Sequence, residues 1–153
     1  LEWGKIKGWY ALHSIGLDNL SLGRAYLIQE INDIEADFTR AAEYLNIAVD
    51  RLRYAGIQDY IPSSLMSRSE LFIALRDFNK ARHDLDEAMT IAERGEMGLH
   101  KADCRLGYAR LYLAIGDKEK ARGELAIAKE MIGKMGYHRR DGEVKELEER
   151  LKL

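Results

Sequence analysis

Proline occurs once in the 153 residues, cysteine once, and aromatic residues make up only 8% of the chain. A lone cysteine cannot close an intrachain disulfide, which excludes the small disulfide-stapled scaffolds and makes a reducing, cytoplasmic setting the expected one. No apolar run approaches the roughly 18 residues that a membrane span requires, and no signal peptide opens the chain. An excess of charge of one sign is lacking too. Against 26 Asp and Glu stand 24 Lys and Arg, a net charge of −2, so there is no general attraction to nucleic acid or to an anionic membrane. What is present, 46% hydrophobic and 33% charged residues, is the composition of one globular domain that can bury roughly 68–70% of its unfolded surface. Disorder and collagen are excluded with it. Leu1 to Tyr10 reads as ordinary folded sequence without an initiating Met, so a piece of a longer protein is expected.

Sliding the chain against itself gives a period of forty residues. Asp37, Asp77 and Asp117 are followed in step by Ala41, Ala81 and Ala121, by Leu45, Leu85 and Leu125, and by Ala48, Ala88 and Ala128. A further column holds Gly16, Gly56 and Gly136, with Glu96 as its exception beside Gly95, and another holds Ile31, Leu71, Leu111 and Leu151. A fixed period of this size signals stacked supersecondary units.

Inside each unit the apolar spacing is helical. Leu45, Ala48, Val49 and Leu52 fall at i, i+3, i+4 and i+7, as do Leu85, Ala88, Met89 and Ala92. Second helices are predicted over residues 37–54, 78–94 and 118–134, preceded by first helices over 19–34, 62–75 and 99–115. Pro62 suits a first helical turn, Gly116 a C-cap, and Asp77 and Asp117 suit N-caps. Recurring alanines mark close helix crossings. The resulting division is repeat 1 at 18–55, repeat 2 at 58–95 and repeat 3 at 98–135. Residues 1–14 are the second helix of a truncated earlier repeat, and 138–153 the helix of a further or capping one. About seven helices and no sheet are expected.

Side chains that could carry chemistry are few. His100, Asp103 and Cys104 share a helical face at a spacing metal ligands use, but no fourth ligand is evident and helix packing accounts for Cys104. His13, His83, His100 and His138 fall in different columns, no phosphate-binding Gly-Lys loop occurs, and Asn19-Leu20-Ser21 matches a glycosylation acceptor by chance. His138-Arg139-Arg140 is the one basic cluster. It offers a local phosphate contact or, more plainly, a solvated turn before Asp141 as an N-cap, so nucleic acid is not an expected partner. Trp3 and Trp9 are expected to pack against the first complete unit.

In unit three, Ala109, Tyr112, Gly116, Asp117, Ala121, Leu125 and Ala128 stand at spacings that resemble the tetratricopeptide repeat (TPR). Unit two has Ser69, Phe72, Arg76, Asp77, Ala81, Leu85 and Ala88 in the same columns. Unit one keeps Asp37, Ala41, Leu45 and Ala48 but carries Gln29 and Asn32 where a small residue and an aromatic belong, so its first helix is expected to be shifted or longer. The long period is similar to the subgroup of MalT-like bacterial regulators and Pins-type scaffolds. This resemblance implies an all-α, right-handed superhelical stack of antiparallel helix pairs that binds protein or peptide, without catalysis and without a cofactor.

The resemblance also implies a concave groove lined by the first helices, with Tyr26, Met66, Leu106 and Glu146 in one row and Glu30, Glu70, Arg110 and Arg150 in another. The second row changes sign along the stack, which would orient a peptide with its basic part toward the N-terminal units. The Lys and Asn pattern of receptors for chaperone tails is missing from these columns. A non-enzymatic interaction module of a larger regulator is thus the first expectation. The alternative is a ligand-sensing or self-associating segment, joined through open repeat ends, that controls an attached ATPase or DNA-binding domain.

Overall fold

The computed structural model describes the backbone of residues 2–152 and the side chains of residues 7–152. Seven α-helices carry the fold: α1 Glu2–Ile31, α2 Thr39–Ala55, α3 Ile61–Ala74, α4 Phe78–Arg94, α5 Gly98–Ile115, α6 Lys118–Met135 and α7 Asp141–Leu151. A single 3₁₀ turn, His138–Arg140, leads into α7. Helix amounts to 84% of the chain and no strand occurs among the described residues, far above the roughly 30–35% helix of an average domain.

The columns of the forty-residue repeat explain where helices begin and end. Asp77 and Asp117 cap α4 and α6, accepting the backbone N–H groups of Lys80 and Lys120 at 3.2 and 3.1 Å. Each cap satisfies one of the four N–H groups that a helix start leaves unbonded. At the C-terminal ends, Gly56 and Gly136 adopt the left-handed backbone, with φ of 69° and 65°. Glu96 occupies the same column and the same conformation, φ 53°, although it has a Cβ. A non-glycine residue there costs about 1–2 kcal/mol, part of which glycine returns through its looser unfolded chain. Glu96→Gly should therefore raise the melting temperature by about 1–2 °C in a scanning calorimeter.

Ala41, Ala81, Ala121, Ala48, Ala88 and Ala128 are all fully buried, as the close-crossing reading of their columns requires. Consecutive helices pack in chain order from α1 to α7, and α1, α3, α5 and α7 also touch in a row along one side. Among the described residues, α1 and α7 do not pack against each other. The core is correspondingly divided. One cluster joins α1 to α4 with Cys104, Tyr108 and Leu111 of α5, and the other joins the opposite face of α5, through Ala102, Leu106 and Ala109, to α6 and α7.

One boundary differs from the sequence reading. Residues 1–14 are not the second helix of an earlier repeat, because α1 runs without a break from Glu2 through the start of repeat 1 to Ile31. Gly16, aligned with two C-cap glycines, instead lies inside the helix where a Cβ would come within 2.8 Å of Leu52 Cγ and Cδ2. Its hydrogen side chain serves close approach to α2 rather than a turn. Trp9 does pack against the first unit, donating from Nε1 to the Ala55 carbonyl at 2.6 Å. The side chain of Trp3 lies outside the described residues. Between α1 and α2 the chain spends seven residues, Asn32 to Phe38, where three separate α3 from α4 and two separate α5 from α6.

Candidate functional site

A cleft of about 440 Å³ runs across the row of first helices. α1 contributes Arg24, Leu27, Ile28 and Ile31; α3 contributes Ser63, Met66, Ser67 and Glu70; α5 contributes Asp103, Gly107 and Arg110. Arg140 of the 3₁₀ turn and Glu143 and Glu146 of α7 close its far side. Four of the eight residues singled out in the sequence line it: Met66, Glu70, Arg110 and Glu146.

The other four are placed elsewhere. Leu106 is 1% exposed, in the core shared with Leu125 and Leu147. Tyr26 stacks on Tyr44 of α2, ring centroids 5.3 Å apart, with the Arg40 guanidinium over it at 5.5 Å. Glu30 turns toward the start of α2 and accepts from the Ala41 N–H at 3.4 Å. Arg150 reaches along α7 to within 3.9 Å of Glu146, away from the cleft lining. The cause for α1 is one of register. Ser63, Ser67 and Glu70 recur forty residues on as Asp103, Gly107 and Arg110, but their counterparts on α1, Arg24, Ile28 and Ile31, precede them by thirty-nine. One residue turns a helical side chain by about 100°, which carries Tyr26 and Glu30 off the lining.

The expected change of sign along the groove is cancelled by pairing. Arg110 hydrogen-bonds Glu143, and Arg140 hydrogen-bonds both Glu143 and Asp103, the latter at 2.7 Å. Tyr137 adds its hydroxyl to Asp103 at 3.3 Å, and Arg110 Nη1 stands 3.7 Å from Glu70 Oε1. The basic cluster His138-Arg139-Arg140 is thus only partly a solvated turn, since Arg140 is half-buried and spent on α5 and α7. His138 Nδ1 lies 3.0 Å from Asp141 Oδ2.

Two carboxyls in this network are displaced in opposite directions. Crowding in the cleft raises Glu70 above the usual glutamate range, against the pull of Arg110 and with repulsion from Glu143, even though its side chain is 45% exposed. Burial also pushes Glu143 upward, but Arg110 and Arg140 outweigh it and leave Glu143 below the ordinary value of 4.5. A lowered carboxyl stabilises the fold above its unfolded pKa and loses that contribution as pH falls through its folded one; a raised carboxyl does the reverse. Glu143→Gln should accordingly cost about 1–2 kcal/mol at pH 7 and flatten the acid limb below pH 4.5. Glu70→Gln should leave the midpoint at pH 7 unchanged or higher. Thermal unfolding from pH 3 to 8 reads both.

No metal-binding arrangement emerges from the sequence candidates. His100 Nε2 is 3.0 Å from the Asp59 carbonyl, Asp103 holds Arg140, and Cys104 is buried with Sγ 3.6 Å from Met66 Sδ. Burial pushes the Cys104 thiol up to about 12, so it is no thiolate. His83, Asp84 and Glu87 come together on α4, but Arg68 holds Asp84 and Arg53 holds Glu87. No helix among the described residues is long and apolar enough to cross a membrane.

Arg24, Ile28 and Glu143 were not singled out in the sequence, and Ile31 was named only as a member of a repeat column. Asp103 and Arg140 were singled out, for other roles. The exposed isoleucines of α1 carried the one available signal: Ile28 and Ile31 keep 67% and 55% of their surface in solvent in a helix whose apolar residues have no single face. Comparison with family models, with curated proteins and with solved structures finds no match for the chain.

Proposed function

We propose that the chain is a TPR-like, non-enzymatic interaction module that holds a peptide or protein segment in the cleft across α1, α3, α5 and α7. The carrying observation is that four helices not consecutive in sequence line one concavity whose near lip is apolar and exposed and whose far wall is charged. Such a surface offers an apolar anchor beside polar groups that fix orientation, as peptide grooves do. The repeat columns support the TPR-like reading and the membership of a larger regulator that goes with it. Nothing in the cleft provides a nucleophile next to a base, so binding rather than turnover is the reading its chemistry favours.

A display library of twelve-residue peptides selected on the immobilised protein tests this. Enriched peptides should bind the wild-type protein and lose at least tenfold in affinity on Ile28→Arg with Ile31→Arg, both of which are surface changes. Equal binding to the two proteins, or no enrichment, would count against the cleft.

A second reading is self-association through the open face of α1 and α2. Exposed apolar side chains on these two helices favour it: Ile15 and Leu22 of α1 are 43% and 45% exposed, and Tyr54 of α2 is 80% exposed. Sedimentation velocity showing a concentration-dependent dimer that Leu22→Lys dissociates would favour it.

A further inference from the structure

Seven charged side chains line the cleft, and the geometry leaves two of them without a partner of their own: Arg24 has none among the described residues, and Glu70 shares Arg110 with Glu143. Arg110, Glu143, Arg140 and Asp103 form one continuous chain of hydrogen-bonded pairs, and Glu146 lies 3.9 Å from Arg150, one turn along α7. Glu70 accepts no hydrogen bond from any described residue. Its nearest cation, Arg110 at 3.7 Å, has its other terminal nitrogen committed to Glu143. Arg24, on the opposite lip, makes neither an ion pair nor a hydrogen bond among the described residues. It is close enough for its field to act on Glu70, yet the two are not in ion-pair contact. Ile28 follows Arg24 by one helical turn, and Ile31 and Met66 extend the apolar surface beside it.

We infer that the cleft takes a peptide segment bearing an acidic and a basic side chain on either side of an apolar one, the acid on Arg24, the base on Glu70 and the apolar group on Ile28 and Ile31. This inference rests on the peptide-binding reading above. A ligand with only negative charge would meet Glu70, Asp103, Glu143 and Glu146; one with only positive charge would meet Arg24, Arg110 and Arg140. A segment of mixed sign completes both unanswered groups without breaking the pairs already made. Its apolar group would expel water from between them, which strengthens both contacts. In an extended peptide, side chains two residues apart point the same way at a spacing of about 6.5–7 Å, so acid, apolar and base can be presented within a few residues.

The test uses fluorescein-labelled octapeptides with a Glu-Ser-Leu-Ser-Arg core, which puts acid, apolar and base on one face of an extended chain, the same core in reversed order because either chain direction fits the cleft, and versions of each with Gln for Glu, for Arg and for both. Each is titrated by anisotropy against the wild-type protein, Arg24→Gln and Glu70→Gln, and methyl NMR of Ile28 and Ile31 locates binding. In at least one chain direction, the mixed-charge core should bind wild-type protein about fivefold or more tighter than either singly neutralised version. Arg24→Gln should erase the gain from the peptide's Glu alone, and Glu70→Gln the gain from its Arg alone. Binding at the Ile28 and Ile31 methyls that ignores both substitutions overturns the charge code but leaves the cleft as a peptide site. So does failure of all eight peptides while library-selected peptides remain blocked by Ile28→Arg with Ile31→Arg. Failure of these peptides and of the library together removes both readings.

Discussion

Asp84→Leu should lower the stability of the fold by about 3 kcal/mol or more, while a second substitution at Arg68 should return most of that loss. Asp84 is 1% exposed and accepts two parallel hydrogen bonds from Arg68, from Nε at 2.7 Å and from Nη2 at 2.8 Å. The remaining terminal nitrogen of Arg68 reaches Asn46 at 3.2 Å. One guanidinium thus ties α3 to both α2 and α4, and the hydrogen bond to Asp84 raises its already high pKa further. Removing the carboxylate strands a guanidinium side chain that is only 13% exposed, and losing one partner of a buried pair costs about 3–5 kcal/mol. Nearby Asp50 and Glu87 soften the field at Arg68, which places the expected loss at the lower end. Arg68→Met with Asp84→Leu removes both charges, and apolar replacements of similar volume are often close to neutral. Urea unfolding of the two single variants and the double closes the cycle. Additive losses would show that the pair is not acting as a unit.

How much of this could be read from the sequence depended on whether the repeat was obeyed locally. In repeats 2 and 3, the caps Asp77 and Asp117, the turn glycine Gly116 and the buried alanines stand where the columns require, because each is fixed by contacts inside its own helix pair. Met66, Glu70 and Arg110 could be placed for the same reason. Repeat 1 departs from the pattern at Gln29 and Asn32, and there the columns misplace Tyr26 and Glu30. A longer α1 and a seven-residue connection shift its register by one residue, a rotation that hydrophobic periodicity cannot detect in a helix apolar on several sides. Leu106 shows a different limit. Its column suits the groove, but α5 is sandwiched between the two core clusters, and the arrival of α6 and α7 buries a position that is half-exposed in α3. Arg110–Glu143 and Arg140–Asp103 join residues more than thirty positions apart, and no local pattern announces such pairs. The sign reversal seen in Glu30, Glu70, Arg110 and Arg150 was legible as composition, but Arg110 and Arg150 are spent on Glu143 and Glu146 and Glu30 on the start of α2, which leaves Glu70 alone of the four without a partner of its own.

Glycines that look alike in the sequence should respond to alanine with opposite signs. At Gly23 an added Cβ would stand 2.7 Å from Leu45 Cγ and Cδ2 and 3.1 Å from the Leu45 backbone nitrogen. The side chain could rotate away, but the α2 backbone cannot, so α1 and α2 must separate along a contact in which Leu45 and Leu52 are fully buried. Overpacking of this kind typically costs about 1–3 kcal/mol, against which the better helix propensity of alanine returns about 0.5–1 kcal/mol. Gly23→Ala should therefore be destabilising on balance, and Gly23→Val, with its branched Cβ, should cost about 3 kcal/mol. Gly123 on α6 has no atom within 4 Å of the same added Cβ. There only the propensity term acts, and Gly123→Ala should stabilise by about 0.5–1 kcal/mol. The pair of measurements reports on the cleft as well as on the core. The Gly16–Gly23 approach fixes the rotation of α1, and it is that rotation which turns Arg24, Ile28 and Ile31 into the cleft and leaves Tyr26 against Tyr44. A stabilising Gly23→Ala would mean that α1 is not held so close to α2, and the α1 lip would lose its assigned residues along with the crossing.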